Sequence, residues 1–500
     1  MIDRVCPSNS CGHDGLSTKL VNLFIDCISL PLSNIFNKSI STGIVPQSMK
    51  IARVVPIFKS GDNTKLINYR PISILTVFSK LLERLVYNRM IKFINKYNIL
   101  TSCQYGFRAG HSTSHAIIDL INTISKHIDS GGKVAGLFID ISKAFDSLNH
   151  SIVLKKLLAY GFRGIIHSWL SSYLDCRLQF VDVNSVKSSL AKLSLGVPQG
   201  SVIGPLLFIL YINDLPLISN LCKFILFADD TTILFHEKCC TALTKLVNST
   251  LVLLHEWFIN NRLCLNLIKT CILPFGLQGF STIDGVCINS NPVACVRSTK
   301  FLGVHIDFNC SWTTHTNYVF NKLSQCAAML KACGHLLPIK TRIQIYFAFA
   351  YPYITYGVEC WGVACMNRIS PIIMKQTKLV RLIFGLSMRS HCAPFASLAR
   401  ILYVPDVTRL LLLKLSYKVF HSLSLPYTIN GLFTRAKHAY HTRSVNYNFF
   451  ELHSRLNVYH NSPVLCCIRL WNSLSISDKT AVSLKIFKTN IINNMFSTYV

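Results

Sequence analysis

The chain has 500 residues, half of them hydrophobic, so it is long enough for several domains and a sizeable buried core. Lysine and arginine together number 51 against 22 acidic residues, which gives a formal net charge of +29. This excess favours a polyanionic partner, most simply nucleic acid, with an anionic membrane surface as the alternative.

The hydrophobic pattern disfavours membrane-spanning and secreted proteins. The most apolar long stretch, residues 343–358, is interrupted by Gln344, Pro352 and Thr355, so we expect a buried helix there and no membrane span. Residues 1–20 show no charged start followed by an apolar core, so no secretory signal is expected.

Two helices are predicted in the first hundred residues. Apolar residues between Leu20 and Leu32 recur at helical spacing, and Pro31 is expected near the end of that helix. A stronger amphipathic pattern covers residues 78–100, with lysine and arginine outside its apolar face. These cations could contact a nucleic-acid backbone, although a solvated helix face is the commoner explanation.

Between these helices, residues 52–62 predict a short strand that runs into a turn. Lys59 and Arg70 bracket this turn. A planar arginine fork and a lysine point charge on one loop can hold a polyphosphate. Taken alone, two solvated surface charges are the simpler explanation.

A loop, a helix and a strand are predicted to follow. Residues 104–113 are polar and contain glycine, and the helix after them is expected to be capped near Ser112 or Thr113. Residues 133–138 read as an apolar strand that leads to Asp140. An acid at the end of an apolar strand lies where ligand and metal sites tend to form.

Residues 196–201 have the sequence Gly-Val-Pro-Gln-Gly-Ser. The glycines would let the backbone approach a ligand closely. A helix is expected to begin after Ser201. A plain turn before a helix explains this loop equally well.

Residues 223–235 predict a β-hairpin with Asp229 and Asp230 at its centre. Adjacent carboxylates between two apolar strands repel each other and resist burial, so they need compensation. A divalent cation such as Mg²⁺ or Mn²⁺ supplies it through hard oxygen ligands. For an isolated Asp-Asp pair, an ordinary hairpin turn would be the better explanation.

Asp140 and Asp229 are far apart in the chain, yet both are predicted at the ends of apolar strands. If those strands are neighbours in one sheet, the two carboxylates converge on shared cations. Two such cations stabilise the attacking and the leaving oxygen of an in-line phosphoryl displacement. The basic surroundings and the pair Lys59 and Arg70 fit a triphosphate substrate.

Seven motifs stand in one order along the first three hundred residues. They are Pro56-Ile-Phe-Lys59, Tyr69-Arg-Pro-Ile-Ser73, Gln104-Tyr-Gly-Phe-Arg108, Phe138-Ile-Asp140 with Lys143-Ala-Phe-Asp146, Gly196-Val-Pro-Gln-Gly-Ser201, Phe227-Ala-Asp-Asp230 and Phe301-Leu-Gly303. This ordered set resembles reverse transcriptases, and the variant is similar to non-LTR (LINE-type) retrotransposon polymerases. Each motif alone is weak, whereas seven in family order are very specific.

The resemblance implies an α+β fold of the right-hand polymerase type. Its parts would be fingers, a palm with an antiparallel sheet packed on helices, a helical thumb and a mainly helical C-terminal region. The implied boundaries are 1–45 for an N-terminal extension, 46–125 for the fingers, 126–310 for the palm with a finger insertion and the primer grip, 311–395 for the thumb, and 396–500 for a basic region of unknown role.

The resemblance also implies roles for individual residues at a two-metal site. Asp140 and Asp229 would be the main ligands of two Mg²⁺ or Mn²⁺ ions. Asp230 would lie beside them, and the carbonyl group of Ile141 would assist.

Further roles concern the nucleotide and the primer. Lys59 and Arg70 would grip the triphosphate, and Gln199 would lie near the incoming sugar. The ring of Phe145 would clash with a ribose 2′-hydroxyl and so select deoxynucleotides, and core packing of the same ring is compatible with that role. Lys269 matches a lysine proposed to donate a proton to pyrophosphate. The primer grip would consist of Phe301, Leu302 and Gly303.

The expected activity is therefore RNA-directed DNA synthesis, in which a primer 3′-hydroxyl attacks the α-phosphate of a dNTP. The expected partners are an RNA template, a DNA primer or target and dNTP, without a membrane. The expected location is intracellular, in a cytoplasmic ribonucleoprotein and in the nucleus.

Two features differ from the wider family. No endonuclease fits ahead of residue 10, and neither a ribonuclease H pattern nor a cysteine-histidine knuckle follows, so we expect the polymerase part of a larger element or a truncated genomic copy. A decayed, catalytically inactive copy that binds nucleic acid is one alternative. Another two-metal enzyme, such as a nuclease or nucleotide cyclase, would fit the carboxylates but would not explain the finger and Gln199 motifs.

Overall fold

The structure is a computed structural model, and it describes residues 8–276, 285–436 and 447–499. Helices and β-sheets both contribute to the fold, which confirms the expected α+β class. The helices of these segments are α1 (Thr18–Leu23), α2 (Ile25–Thr42), α3 (Val77–Lys96), α4 (Thr113–Asp129), α5 (His150–Ala159), α6 (Ile165–Leu174), α7 (Gly204–Tyr211), α8 (Cys240–Asn260), α9 (Thr313–Cys333), α10 (Ile339–Phe349), α11 (Tyr351–Thr355), α12 (Val358–Trp361), α13 (Met366–Phe384), α14 (Ala393–Leu398), α15 (Val404–Phe420), α16 (Tyr427–Asn430), α17 (Asn457–His460), α18 (Pro463–Asn472), α19 (Ile476–Lys479) and α20 (Leu484–Phe496). The strands are β1 (Ile51–Phe58), β2 (Tyr69–Ile74), β3 (Lys133–Ile139), β4 (Arg177–Val183), β5 (Val186–Lys187), β6 (Ala191–Leu193), β7 (Lys223–Phe227), β8 (Asp230–Glu237), β9 (Cys271–Phe275), β10 (Cys287–Ile288), β11 (Asn291–Pro292), β12 (Ala294–Cys295), β13 (Ser298–Phe301) and β14 (Val304–Asp307).

The chain divides into two compact units. Unit 1 comprises residues 1–107, 140–219 and 252–266, and unit 2 comprises residues 108–139, 220–251 and 267–500. One boundary falls between Ile139 and Asp140, so strand β3 belongs to unit 2 and the aspartate that follows it belongs to unit 1. The division into fingers, palm and thumb stays a prediction.

Unit 1 contains a mixed sheet in the order β2-β1-β4, with β5 and β6 both paired to β4. β1 pairs with β2 in antiparallel and with β4 in parallel orientation. Helix α3 begins after an N-cap at Thr76 and buries Leu82, Val86 and Met90. Helix α7 is apolar on all sides and almost wholly buried, which is the pattern of a core helix.

Unit 2 contains a sheet in the order β12-β9-β3-β8-β7, in which β3 is central and its residues 134–139 are buried. The pairs of β3 with β8 and β9, and of β7 with β8, are antiparallel. Helix α4 packs on this sheet. An ion pair holds it there, because Lys223 Nζ at the start of β7 lies 2.5 Å from Oδ1 of the buried Asp119 on α4.

The last hundred residues also belong to unit 2. Helix α15 packs against α18 and α20, where the rings of Trp471 and Phe487 meet. Helices α17 and α18 contact α4. The Asp129 carboxylate at the end of α4 accepts hydrogen bonds from the backbone N–H groups of Arg455 and Leu456 at 2.9 and 2.6 Å. The C-terminal region is therefore part of the core of unit 2.

Two expected helices have different bounds in the structure. The end predicted near Pro31 is wrong, because α2 continues through this proline to Thr42. Burial of Leu32 and Phe36 beyond the proline offsets the hydrogen bond that it removes. The apolar stretch 343–358 is not one helix, since α10 ends at Phe349 and α11 begins with Pro352 in its first turn. No helix in the segments that the structure describes has the length and apolarity to span a membrane.

We predict that Lys223→Met lowers the free energy of unfolding by about 2 kcal/mol, because the buried Asp119 carboxylate loses its charged partner. The partial exposure of Lys223 keeps the effect below that of a fully buried pair. Urea unfolding of both proteins measures the difference. The control is Lys238→Met, at an exposed lysine just after β8, with an expected change under about 0.5 kcal/mol. Equal stability of Lys223→Met and the wild type would contradict the prediction.

Candidate functional site

The turn that carries Asp229 is a tight two-residue connection. Phe227 pairs with Asp230 as the last step of the β7–β8 ladder, so Ala228 and Asp229 form the turn between them. Ala228 has a φ of 54°, and a left-handed residue is common in such short hairpin turns. The Asp229 side chain is half-buried and Asp230 is exposed. The hairpin predicted from the sequence is confirmed.

The strand before Asp140 and this hairpin are neighbours in one sheet, as the sequence argument required. β3 and β8 pair in register up to Ile139 opposite Thr231. The C-terminal end of β3 and the β7–β8 turn therefore lie at the same end of the sheet. Asp140 is bonded directly to Ile139.

Within unit 1, Asp140 is held by Asn266. The Asn266 side-chain amide donates to Asp140 Oδ2 at 2.8 Å, and its backbone N–H donates to the Asp140 carbonyl oxygen at 2.9 Å. Ile141 forms an isolated bridge with Leu265 in the same segment. A carboxylate has about four acceptor positions and can therefore accept several donors or bind cations.

Asn266 is a site residue that the sequence reasoning missed. The signal for Asn266 in the sequence is its place three residues before Lys269. This signal is weak, because Asn266 pairs with Asp140, which is distant in the chain. Across the described ranges, no group of three or more His, Cys, Asp or Glu side chains is placed to hold a metal ion. The carboxylates of Asp140, Asp229 and Asp230 thus stay predicted ligands.

The loop at residues 196–201 is fixed on both sides by unit 1. The Gln199 side-chain amide donates to both carboxylate oxygens of Asp146 at 2.9 and 3.0 Å. The Gln199 carbonyl oxygen accepts from the Ser73 N–H at 2.8 Å. Gln199 and Asp146, each from a separate motif, are therefore brought together.

The two glycines of this loop are required by close contacts within the chain. A Cβ on Gly196, where φ is 77°, would lie 2.6 Å from the Asp146 carbonyl oxygen. A Cβ on Gly200, where φ is 125°, would lie 2.5 Å from the Ser73 carbonyl oxygen. From the sequence, these glycines were expected to let the backbone approach a ligand. The structure shows that they allow approach to the protein's own backbone.

Phe145 is half-buried and belongs to an aromatic cluster. Its ring centroid lies 4.8 Å from that of Phe208 and 6.2 Å from that of Phe107. The Phe145 ring therefore packs against other aromatic rings, as the alternative explanation for this residue predicts. A sugar-gating role is compatible with a ring that is half exposed.

Lys59 and Arg70 lie on the same face of the β1–β2 hairpin. Arg70 is opposite Ile57, and the Lys59 N–H donates to the Asn68 carbonyl oxygen at 2.9 Å, two residues further along the ladder. Cross-strand partners share a face, and so do residues two apart on one strand. Both side chains are exposed. The hairpin can thus offer two cations to one anion.

The remaining predicted residues lie in unit 2. Lys269 is exposed in a turn before β9. Leu302 and Gly303, with φ of 44° and 86°, form a two-residue turn between β13 and β14. The ring of Phe301 packs edge-on against Phe138 of β3 at 6.0 Å, and the Tyr356 hydroxyl donates to the Leu302 carbonyl oxygen at 2.6 Å. These contacts fix the hairpin on the sheet.

A buried histidine ties the same hairpin to helix α9. His315 Nδ1 accepts a hydrogen bond from the His305 N–H of β14 at 3.3 Å. Burial, with a smaller effect of the nearby His305, lowers the pKa of His315 from 6.5 to about 3. The folded protein therefore keeps this imidazole neutral where an unfolded chain would protonate it.

Comparisons with known proteins agree with the motif order. The sequence profile described as "Reverse transcriptase (RNA-dependent DNA polymerase)" matches residues 57–306. The chain is 28% identical over 385 residues to the "RNA-directed DNA polymerase from mobile element jockey" of Drosophila melanogaster, which covers 75% of this chain and 42% of that protein. It is 30% identical over 396 residues to the "Probable RNA-directed DNA polymerase from transposon X-element" of the same organism, which covers 77% of this chain and 43% of that protein.

Among solved structures, telomerase from Candida albicans with a fragment of telomeric RNA aligns with a TM-score of 0.41 and 11% identity. The alignment covers 74% of this chain and 68% of that chain. The chain spans about two fifths of the length of the curated relatives it matches.

We predict that acid destabilises unit 2 through His315. Above pH 6.5 the neutral His315 contributes fully to the free energy of unfolding. Below pH 6.5 the unfolded chain binds a proton at this histidine more readily than the folded protein does. The free energy of unfolding therefore falls progressively towards pH 3. In His315→Asn the decline between pH 6.5 and pH 4 is expected to be shallower. Urea unfolding at a series of pH values measures both slopes, and equal slopes would contradict the prediction.

Proposed function

We propose, from the premise that the chain belongs to the reverse transcriptase (RNA-dependent DNA polymerase) family, that it is the polymerase segment of a non-LTR retrotransposon protein and copies RNA into DNA. The match over residues 57–306 and the relatives from Drosophila mobile elements confirm the family that the seven motifs predicted. Because the chain spans only part of those relatives, its activity, substrates and partners are part of the proposal.

The observation that carries this proposal is the register of β3 with β8. It brings the end of β3, which leads into Asp140, to the same end of the sheet as the turn with Asp229 and Asp230. We infer that the carboxylates of Asp140 and Asp229 share divalent cations, with Asp230 and the Ile141 carbonyl in support. Hard oxygen ligands fit Mg²⁺, which is commonly bound by one or two carboxylates together with substrate phosphates and water.

When bound, two Mg²⁺ or Mn²⁺ ions would supply charge stabilisation for the attacking and leaving oxygens. The protein's own part is to position the reactants. Asn266 orients the Asp140 carboxylate through its amide. The primer grip at Phe301, Leu302 and Gly303 would hold the primer strand, supported by its packing on Phe138.

Several of the predicted residues would recognise the nucleotide. The exposed cations Lys59 and Arg70 on one face of the β1–β2 hairpin fit the triphosphate. The Gln199 side-chain nitrogen is engaged by Asp146, which leaves its oxygen to accept from a sugar hydroxyl. Phe145 would exclude a ribose 2′-hydroxyl, and the exposed Lys269 would donate a proton to pyrophosphate.

The proposed partners are an RNA template, a DNA primer or target and dNTP. The formal charge of +29 supports binding to these polyanions. Such substrates fit a cytoplasmic ribonucleoprotein and the nucleus, and both locations stay predictions. A catalytically inactive copy that only binds nucleic acid is the competing possibility, and the next experiment separates the two.

We predict that Asp140→Asn and Asp229→Asn each lower primer extension on an RNA template by about 10³-fold or more, because each removes an oxygen ligand that stabilises the transition state. Binding of template-primer should change much less. The assay is incorporation of labelled dNTP with Mg²⁺ or Mn²⁺.

Glu237→Gln is the matched control, since this carboxylate lies at the other end of β8, opposite Lys133. It should retain near-native synthesis. Well-folded wild type that binds template-primer in a salt-sensitive way without extending it would support the inactive copy and contradict the proposed activity. Near-native synthesis by Asp229→Asn would instead refute the assignment of the site.

We predict that Phe145→Ala raises incorporation of ribonucleotides relative to deoxynucleotides by at least about 10-fold, because the ring that would meet the 2′-hydroxyl is removed. Phe145→Tyr keeps the ring and should preserve discrimination. Because Phe145 also packs on Phe208, melting temperatures are compared in parallel. An unchanged ratio in folded Phe145→Ala would leave this ring with a packing role only.

A further inference from the structure

Glu83 is a carboxylate inside unit 1 that none of the roles above uses. It lies on α3 and is 1% exposed. Its Oε2 accepts the backbone N–H groups of Val202 and Ile203 at 2.6 and 3.3 Å. Its Oε1 accepts the Tyr173 hydroxyl at 3.2 Å. The Ser79 hydroxyl lies 3.4 Å from Oε1 and has the Met49 carbonyl oxygen at 3.0 Å as its shorter acceptor. The backbone N–H groups of Val202 and Ile203 can only donate, so they favour the ionised form of Glu83.

Arg177 supplies the opposite charge. It lies on β4, is 1% exposed, and its guanidinium carbon lies 4.6 Å from the centre of the Tyr173 ring. Its Nη1 donates to the Tyr173 carbonyl oxygen at 3.1 Å. Burial raises the pKa of Glu83, and the charge of Arg177 and the N–H donors of Val202 and Ile203 act against that rise.

Buried charges such as those of Glu83 and Arg177 are weak evidence for a stabilising role. Taking both ions out of water is costly, and apolar residues of similar volume often serve stability as well or better. Buried charges are in some proteins retained because they fix one conformation.

The two N–H groups that Glu83 holds follow directly on the loop at residues 196–201. The Ser201 hydroxyl donates to the Pro198 carbonyl oxygen at 2.8 Å and accepts from the Gly204 N–H at 3.1 Å. Gln199 lies in the segment that these hydrogen bonds hold, three residues before Val202. A shift of the backbone at Val202 would thus move Gln199 relative to Asp146.

We propose that Glu83 is a positioning residue for nucleotide binding, which fixes the loop at residues 196–203 through the Val202 and Ile203 N–H groups and so keeps Gln199 against Asp146. This inference rests on the proposed function, since it assigns Gln199 to the incoming nucleotide. Glu83 does not touch the nucleotide. It acts through Gln199, and its loss should change nucleotide binding more than the rate of chemistry.

The first test is steady-state primer extension by Glu83→Gln, Gln199→Ala and the double variant. Glu83→Gln is expected to raise the KM for dNTP about 10-fold, the effect of weakening hydrogen bonds to a charged group, with a smaller change in kcat. Gln199→Ala should raise KM by a similar factor. The double variant should match Gln199→Ala within about twofold, because residues that act through one another are not additive. An unchanged KM in Glu83→Gln, or multiplicative effects in the double variant, would overturn the proposal.

Controls separate positioning from loss of folding. Val86→Ala truncates another buried residue of α3 and should lower the melting temperature without changing KM. Glu83→Asp keeps the charge but shortens the reach. It should raise KM in the same direction even where Glu83→Gln folds poorly, and an unchanged KM would again count against the proposal.

A second measurement does not require activity. Hydrogen exchange of the peptide that spans residues 196–203 should be faster in Glu83→Gln than in the wild type, and unchanged in Val86→Ala. Faster exchange together with an inactive wild type would leave the positioning intact and refute only the proposed function. Unchanged exchange in Glu83→Gln would refute the positioning whatever the activity.

Discussion

The antiparallel pairing of β3 with β8 is the constraint on which the candidate site depends. It runs from Lys133 opposite Glu237 to Ile139 opposite Thr231. Because side chains alternate between the faces of a sheet, a slip by one residue would exchange the faces of the whole strand. Residues 134–139 are all buried, so both faces of β3 are covered, and a slip would place every side chain in the packing of the opposite face. The register in turn determines which acidic residues emerge at that end of the sheet.

Unit 1 relies on a different kind of constraint. Its loop at residues 196–203 has no ladder to fix it, and individual polar contacts do so instead. Ser73 and Asp146 hold Gln199, and Glu83 holds the two N–H groups that follow. The position of this loop therefore depends on Glu83, a single carboxylate that is distant in sequence. The hairpin with Asp229 is instead fixed by a continuous set of backbone hydrogen bonds.

Local features of both units could be predicted from the sequence, because they depend on neighbouring residues. The Asp229 hairpin, the strand before Asp140 and the cap at Ser112 all followed from turn, strand and cap preferences. Non-local features could not be predicted in this way. The bond from Asn266 to Asp140, the role of Glu83 and the continuation of α2 through Pro31 all depend on which distant surfaces meet.

Common divalent cations held by Asp140 and Asp229 are the feature on which the proposed activity depends. Iron(II) bound in place of magnesium is oxidised to iron(III) by added hydrogen peroxide, which yields hydroxide and a hydroxyl radical, and ascorbate reduces the iron again. The radicals cut the backbone close to the metal, so the cuts map the ligands directly. We expect cuts beside Asp140 and beside Asp229, and both sets should weaken together in a variant that lacks either carboxylate. Cuts beside only one of the two segments, or independent loss of each set, would contradict it.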